Sequence, residues 1–331
     1  MSNKHPDPRP PAIPADVPGV LRLGVTGAVL VGMVATAAAT GEREIVFPEV
    51  AALLTGLILA PRLSWRTTLP RMCLLLVVCA LLGTGISTYV PGHLALKMTL
   101  AYAAALFILM VTGTTVAPIV SAAVLPVLLG TRGWVYPVSA AVLALACTLL
   151  RLLWERLGLA RRELVRPHRG VWGGAWAFLM RTAFVAVWTT LAVACGCPFA
   201  AAPPLLVAYT QFSRRRNPIR KHPSKAVLPV FVCALIGASC RLVLTELAGF
   251  GVGISVALAT VVFTSYFRRT RFYFPPAAAM AILAFLIPAD RLLVYPVEAL
   301  TGISALVYGE RFLTRAAHAA TRTRKGLSPS A

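Results

Sequence analysis

Residues 41–71 have the sequence GEREIVFPEVAALLTGLILAPRLSWRTTLPR. The gap at 41–47 holds one Arg and two Glu, an apolar segment at 49–60 follows, and the gap at 62–71 holds three Arg. Short loops rich in Lys and Arg stay on the cytoplasmic side of a membrane. The two gaps therefore belong on opposite sides, so the segment between them must cross. It is too short to cross a hydrocarbon core of about 30 Å as a helix alone.

The same alternation of charge runs along the whole chain. Basic gaps lie at 62–71, 151–169, 214–225 and 268–271 and in the C-terminal tail. If every apolar segment crosses and the N-terminus is inside, the outer loops hold only Arg43, Arg132 and Arg291 of the 32 Lys and Arg residues. Lys97, Arg181 and Arg241 then fall within spans. This distribution predicts that both termini are cytoplasmic.

The composition supports a membrane protein. The chain is 58% hydrophobic and 13% charged, with a mean hydropathy of +0.78, which no soluble domain of this length could bury. Its net charge of +21 is better explained by loops that contact anionic lipid headgroups than by nucleic acid. Membrane lipids are thus expected partners and nucleic acid is not. The Pro-rich residues 1–18 lack the features of a signal peptide and are predicted to be a disordered cytoplasmic lead.

Two classes of apolar segment alternate along the chain. Eight are long enough to span: 20–40, 71–90, 94–112, 133–154, 173–195, 226–248, 251–267 and 291–310. Four are short and follow proline: 49–60, 118–130, 204–212 and 276–287. The predicted fold is an all-α polytopic membrane protein of two parallel pseudo-repeats. Each repeat has six segments, four of them long spans and two of them short Pro-led broken helices.

Two pairs of sequence stretches support the internal duplication. The stretch CALLG at 79–83 matches CALIG at 233–237, and WVYPV at 134–138 matches LVYPV at 293–297. Each repeat has an even number of segments, so the two repeats point the same way across the membrane. The predicted regions are the lead 1–18, repeat 1 at 19–155, a basic cytoplasmic linker at 156–172, repeat 2 at 173–312 and a basic cytoplasmic tail at 313–331.

The four short segments are predicted to begin near the membrane midplane, two from each face. Helix N-termini carry partial positive charge and free N–H donors, and extended backbone at this depth must be buried in protein or line a cavity. We therefore expect an anion site between the repeats. Its expected residues are Pro48, Pro118, Pro204, Leu205, Pro276 and Ala277. The alternative is that these segments are kinked helices that only fill the core.

Charged residues within apolar segments are further candidates. Glu49 follows Pro48, and its alternatives are a helix cap or a proton carrier. Glu298 follows Pro296 where the first repeat has Ser139, so the duplication is broken there. Arg181 lies mid-span and is expected either to touch substrate or to pair with Glu49 or Glu298. A second buried pair is expected between Arg241 and Glu246.

The cluster at 214–222 is predicted to set topology and contact lipid, with gathering of anions at an inner mouth as the alternative. Tyr209 and Gln211, just before it, are expected to line a cavity. Motifs for nucleotide, metal or serine-hydrolase chemistry are absent from the sequence, so neither an enzyme nor a cofactor is predicted. Cys195 and Cys197 alone make a weak metal site, so no metal is predicted either.

Residues 274–279 (FPPAAA) and 292–297 (LLVYPV) resemble the HPP family of integral membrane proteins, which carries His-Pro-Pro before a short Ala-rich segment. The resemblance covers 175–312, and more faintly 25–155, and Phe274 stands where the family has His. Some members of that family are linked to nitrite transport. The chain also resembles aromatic-acid exporters of the fusaric-acid-resistance type, with their duplicated six-span halves. Both resemblances imply transport of a small anion.

The expected function is secondary transport of a small anion, or channel-like passage, across the cytoplasmic (plasma) membrane. Two alternatives stay open: a non-transporting membrane scaffold or subunit of a complex, and a lipid-modifying membrane enzyme. A homo-oligomer is also left open.

Overall fold

The structure is a computed structural model that describes residues 19–160, 172–214 and 217–326, with side chains as far as Phe312 apart from Pro218. The predicted lead at 1–18, most of the linker at 156–172 and the side chains of the tail at 313–331 lie outside the described residues.

Each predicted apolar segment is a helix. The first half contains α1 (Gly19–Thr40), α2 (Glu49–Leu54) with a π-helical turn (Thr55–Leu59), α3 (Leu69–Tyr89), α4 (Leu94–Thr112), α5 (Pro118–Leu129) and α6 (Val135–Arg156). The second half contains α7 (Ala175–Ala194), α8 (Pro203–Ser213), α9 (Ser224–Cys240) with a π-helical turn (Arg241–Leu247), α10 (Val252–Thr270), α11 (Pro275–Leu283) and α12 (Tyr295–Gly326). Short 3₁₀ turns at Arg43–Ile45, Pro198–Ala201, Pro218–Lys221 and Ala289–Arg291 connect them.

The protein is an all-α, multi-pass membrane protein. Within the described part of the chain, six helices are long and apolar enough to cross a membrane, namely α1, α3, α4, α6, α7 and α9 with its π turn. The other two predicted long spans, α10 and α12, have the expected length but are not among these six. Large apolar side chains on the outer surface, such as Leu74, Phe107 and Val142, are exposed. Such a surface suits contact with lipid.

The four short helices form the centre of the protein. Every residue of α2 and of α11 is buried, as is α5 from Pro118 to Val127. Proline in the first turn of α5, α8 and α11 begins each helix where an N–H has no intrahelical partner. Because the first turn of each short helix is buried in the protein, these helices can begin within the membrane without exposing backbone to lipid.

Contacts between the halves are matched. Helix α1 packs on α10 and α7 packs on α4, while α2 packs on α11 and α8 packs on α5. Within each half, the third helix packs on the fifth and the sixth, as α3 does on α5 and α6, and α9 on α11 and α12. The predicted duplication requires this pattern of contacts. The parallel orientation of the halves across the membrane stays a prediction.

The sequence stretches that indicated a duplication make equivalent contacts. A Cβ atom on Gly83 of α3 would overlap the carbonyl oxygen of Ala123 in α5, and one on Gly237 of α9 would overlap that of Ala281 in α11. Small residues allow such close backbone approach between membrane helices.

Two tyrosines also make equivalent contacts with the short helices. The hydroxyl of Tyr136 in α6 donates to the carbonyl of Ala122 at 3.0 Å, and the hydroxyl of Tyr295 in α12 donates to that of Met280 at 2.7 Å. Each bond satisfies a fully buried phenol and ties a surrounding helix to a central one.

Candidate functional site

A cavity of about 160 Å³ lies where four loops meet. The loops that follow α2 and precede α5 come from the first half, and those that follow α8 and precede α11 come from the second. The predicted topology puts all four on the cytoplasmic side. The cavity therefore lies between the two halves, at the inner ends of the short helices.

Polar side chains and aromatic rings share the wall of this cavity. The polar residues are Ser64, Thr115, Gln211, Arg214 and Asn217. The aromatic residues are Trp65, Phe272, Tyr273 and Phe274, and the rings of Phe272 and Phe274 stack with centroids 5.7 Å apart. The lining residues that the structure describes thus include one cation and no carboxylate.

Positive charge at the cavity lacks a counter-charge. Burial lowers the pKa of the Arg214 guanidinium below its usual range, and the positive charge of Arg66 lowers it further. Among the described residues, no carboxylate forms an ion pair with either arginine. An anion in the cavity would relieve the repulsion and offset part of the desolvation of Arg214.

Trp65 contributes a buried indole to the same wall. The residue is 4% exposed, and its indole N–H is buried without a hydrogen-bond partner in the described part of the chain. A buried donor without an acceptor costs about 1–3 kcal/mol.

Hydrogen bonds hold the loops around the cavity in place. The backbone N–H of Arg66 donates to the Thr115 hydroxyl at 2.7 Å and joins the two loops of the first half. The Asn217 side chain donates to the carbonyl of Gln211 and accepts from the backbone N–H of Ile219 at 3.1 Å. The loop after α8 is therefore folded back on the end of its own helix.

Arg181 does not line the cavity, but its hydrogen bonds hold residues that are next to the cavity wall in the chain. Its Nη2 donates to the carbonyl of Ser213 at 2.7 Å, and its Nη1 donates to the carbonyl of Trp172 at 2.5 Å. The indole N–H of Trp172 in turn donates to the carbonyl of Thr114 at 2.8 Å. These bonds hold the residues that directly precede Arg214 and Thr115 in the two halves.

The predicted pairing of Arg181 with Glu49 or Glu298 is wrong. Among the described residues, Arg181 forms no ion pair, and backbone carbonyls take the place of a carboxylate. The physical reason is that short α8 ends within the protein and leaves carbonyls unpaired there, which a guanidinium can satisfy. The predicted pair of Arg241 with Glu246 is confirmed at 3.0 Å.

The first half has a similar arginine. Arg22 of α1 donates from Nη1 to the carbonyl of Ile58 at 3.2 Å, near the end of the segment that α2 begins. In each half, an arginine on the first long helix thus caps the end of the first short segment. This contact, which both halves share, supports a structural role for Arg181.

The other two predicted charges lie at the opposite ends of the short helices. Glu49, in the first turn of α2, is 1% exposed and accepts a hydrogen bond from the Ser121 hydroxyl of α5. Glu298 of α12 accepts from the backbone N–H of Phe199 at 3.0 Å, just before α8, and lies 3.9 Å from the Arg291 guanidinium. A glutamate side chain of the protein thus lies beside the N-terminus of α2 and another beside that of α8.

None of the ten predicted site residues lines the cavity. Pro48, Pro118, Pro204 and Pro276 begin the short helices as expected, and Leu205 and Ala277 are fully buried within them. Tyr209 is also buried, and its hydroxyl donates to Glu310 at 3.2 Å. Pro275, the neighbour of Pro276 in the chain, does line the cavity.

Sequence reasoning did raise Gln211 and the cluster at 214–222 as an inner mouth, and Gln211, Arg214, Asn217 and Ile219 line the cavity. Ser64, Trp65 and Thr115 were not predicted to line a cavity. The signal that could have found them was that their two loops lie on the same predicted side of the membrane.

Comparisons with protein-family models, with curated proteins and with solved structures find no match.

Proposed function

We propose that this protein is a secondary carrier of a small anion, with its binding site in the cavity between the four inner loops. Arg214 supplies the main charge, Arg66 raises the local potential, and the hydroxyls of Ser64 and Thr115 offer hydrogen bonds. The observation that carries the proposal is a cavity lined by a cation with no carboxylate on its wall or paired with that cation.

The position of the cavity supports a carrier. Wall residues come from both halves, so a movement of one half relative to the other would open or close the site. The finer features of the sequence prediction, including a midplane position and a role of Arg181 at the substrate, are not part of this proposal.

Thermal unfolding of the purified full-length chain in detergent tests binding. Sodium nitrate, acetate, phosphate and benzoate are titrated against matched sodium chloride. A ligand that binds only the folded protein stabilises it by about 2.7 kcal/mol at 100 times its Kd. We expect one anion to raise the melting temperature and Arg214→Gln to weaken its affinity at least about 10-fold, or about 1.4 kcal/mol.

The matched control is Arg62→Gln, in the basic loop of the first half. Arg62 is exposed and absent from the cavity wall, so its removal should leave the shift intact. Uptake of the same anion into proteoliposomes should follow the same order of variants. An equal loss in both variants would mean a general effect of surface charge, and folded protein that moves no anion would favour the scaffold alternative.

A further inference from the structure

We infer that the Glu49 carboxyl is a proton-binding site, which holds a proton in the conformation described here. One part of the inference rests on the proposed carrier function, namely that this proton couples anion movement to a proton gradient. The presence of the proton itself is argued only from the groups that surround the Glu49 carboxyl.

The carboxyl of Glu49 is isolated from water. The residue is 1% exposed, and Oε2 has no hydrogen-bond partner among the described residues. Oε1 accepts from the Ser121 hydroxyl, which is a neutral group. A backbone N–H, that of Glu49 itself, is the other donor near the carboxyl, and it is neutral as well. An ionised carboxylate that has only neutral donors and no cation is far costlier to bury than a neutral carboxyl with one unsatisfied O–H.

Among the described residues, the helices packed against α2 place no cation near its first turn, where Glu49 lies. Helices α5 and α11 contain no titratable residue, and neither does the π turn after α2. Arg22, the sole charge on α1, donates to the carbonyl of Ile58. Ile58 lies nine residues along the segment from Glu49, or about 13 Å at the rise of a helix.

Helix α6 has the remaining titratable groups that pack near α2. Its Tyr136 is nearest, and the hydroxyl is already used as a donor to Ala122. Arg151 donates to the carbonyl of Leu57 and pairs with Glu155, so it lies near the end of the α2 segment that is opposite to Glu49. Arg156 is the last residue of α6 and lies still further along the helix. Cys147 of the same helix is an uncharged thiol. In the 3₁₀ turn before α2, Arg43 is exposed and Glu44 is itself acidic.

Glu298 provides the contrast within the same protein. Its Oε2 accepts from a backbone N–H at 3.0 Å, and its Oε1 lies 3.9 Å from the guanidinium of Arg291. A fixed donor and a nearby cation favour the ionised form, whereas burial opposes it. Like Oε2 of Glu49, Oε1 of Glu298 has no hydrogen-bond partner among the described residues, so the two acidic residues differ in one respect: Glu298 has a guanidinium 3.9 Å away.

Infrared spectroscopy of the purified full-length protein tests the proton directly and needs no transport. At pH 7, where an ordinary glutamate is ionised because its pKa is about 4.3, we expect a carboxylic-acid C=O band. The band should vanish in Glu49→Gln and remain in Glu298→Gln. Removal of the hydrogen bond in Ser121→Ala should shift the band to higher frequency, which tests the assignment in a variant that keeps the carboxyl.

Absence of the band in the wild type, or its persistence in folded Glu49→Gln, would overturn the inference. Proteoliposomes then test the linkage, with an internal pH dye and the anion selected by thermal shift. We expect an imposed pH gradient to drive anion movement in the wild type and in Glu298→Gln, and to lose this effect in Glu49→Gln. If no variant moves an anion, the carrier proposal fails, while the infrared result still decides the state of Glu49.

Discussion

The Nη2 atom of Arg181 lies 2.7 Å from the carbonyl oxygen of Ser213, the residue directly before Arg214. This bond ties α7 to the end of α8 and fixes where the cavity wall begins. Arg181, which the sequence predicts either to touch substrate or to pair with a carboxylate, thus holds the residue that precedes Arg214 on the cavity wall. The separation of these two roles can be measured.

Replacement of Arg181 by alanine should destabilise the protein before any ligand is added. The variant loses hydrogen bonds to the carbonyls of Ser213 and Trp172, each about 1.5–3 kcal/mol because the donor is charged. We expect a lower melting temperature for Arg181→Ala and for Arg181→Lys, since a single ammonium cannot reproduce the planar fork. Thermal unfolding without anion checks this.

The matched comparison is Arg214→Gln, which should leave the ligand-free melting temperature nearly unchanged and remove the shift caused by the anion. If Arg181→Ala melts like the wild type and loses only the anion shift, Arg181 binds substrate after all.

The two matched glycines should tolerate no side chain. In Gly83→Ala and Gly237→Ala, the new Cβ would overlap a backbone carbonyl oxygen of the central helix, which cannot move without shifting that helix. Overpacking of this kind costs about 1–3 kcal/mol. We expect both variants to lower the melting temperature by similar amounts, as the duplication predicts.

Gly85→Ala is the control for this pair, because it lies in α3, two residues from Gly83, with open space around it. Alanine is also a better helix former than glycine, so this variant should be neutral or slightly stabilising. Equal destabilisation by Gly85→Ala and Gly83→Ala would contradict the close approach of α3 and α5.

The orientation of the protein can be tested through its own cysteines. Cys195 is exposed in the predicted outer loop between α7 and α8, whereas Cys79, Cys147 and Cys233 are buried. A membrane-impermeant maleimide applied to intact cells should label the wild type, and Cys195→Ser should lose most of the signal. Labelling of Cys195 only after the membrane is broken would invert the predicted topology.

The positions of the helices were predictable because crossing a membrane imposes length and apolarity on each segment. The short segments were also predictable, since proline marks where α5, α8 and α11 begin and the charges of 41–47 and 62–71 require opposite sides. The CALLG and CALIG stretches pointed to a duplication without revealing its contacts. The structure adds that their last residues, Gly83 and Gly237, touch the central helices.

The candidate site was less predictable. A buried arginine in a span indicates that it needs a partner, but not whether that partner is a substrate, a carboxylate or a carbonyl at the end of a broken helix. The partners of Arg181 are carbonyls of Trp172 and Ser213, 9 and 32 residues away along the chain. No local pattern contains that information.

The sequence by itself determined the class of this protein and the approximate positions of its segments, and it predicts the side of the membrane on which its charges lie. Hydrophobic length and loop charge are local properties, and the membrane acts on each segment separately. Only the tertiary structure decided which loops meet, because that depends on how eight long helices pack around four short ones. It placed Arg214 beside Trp65 and Thr115 on one cavity wall and left Glu49 without a cation. Sites between distant segments are properties of packing.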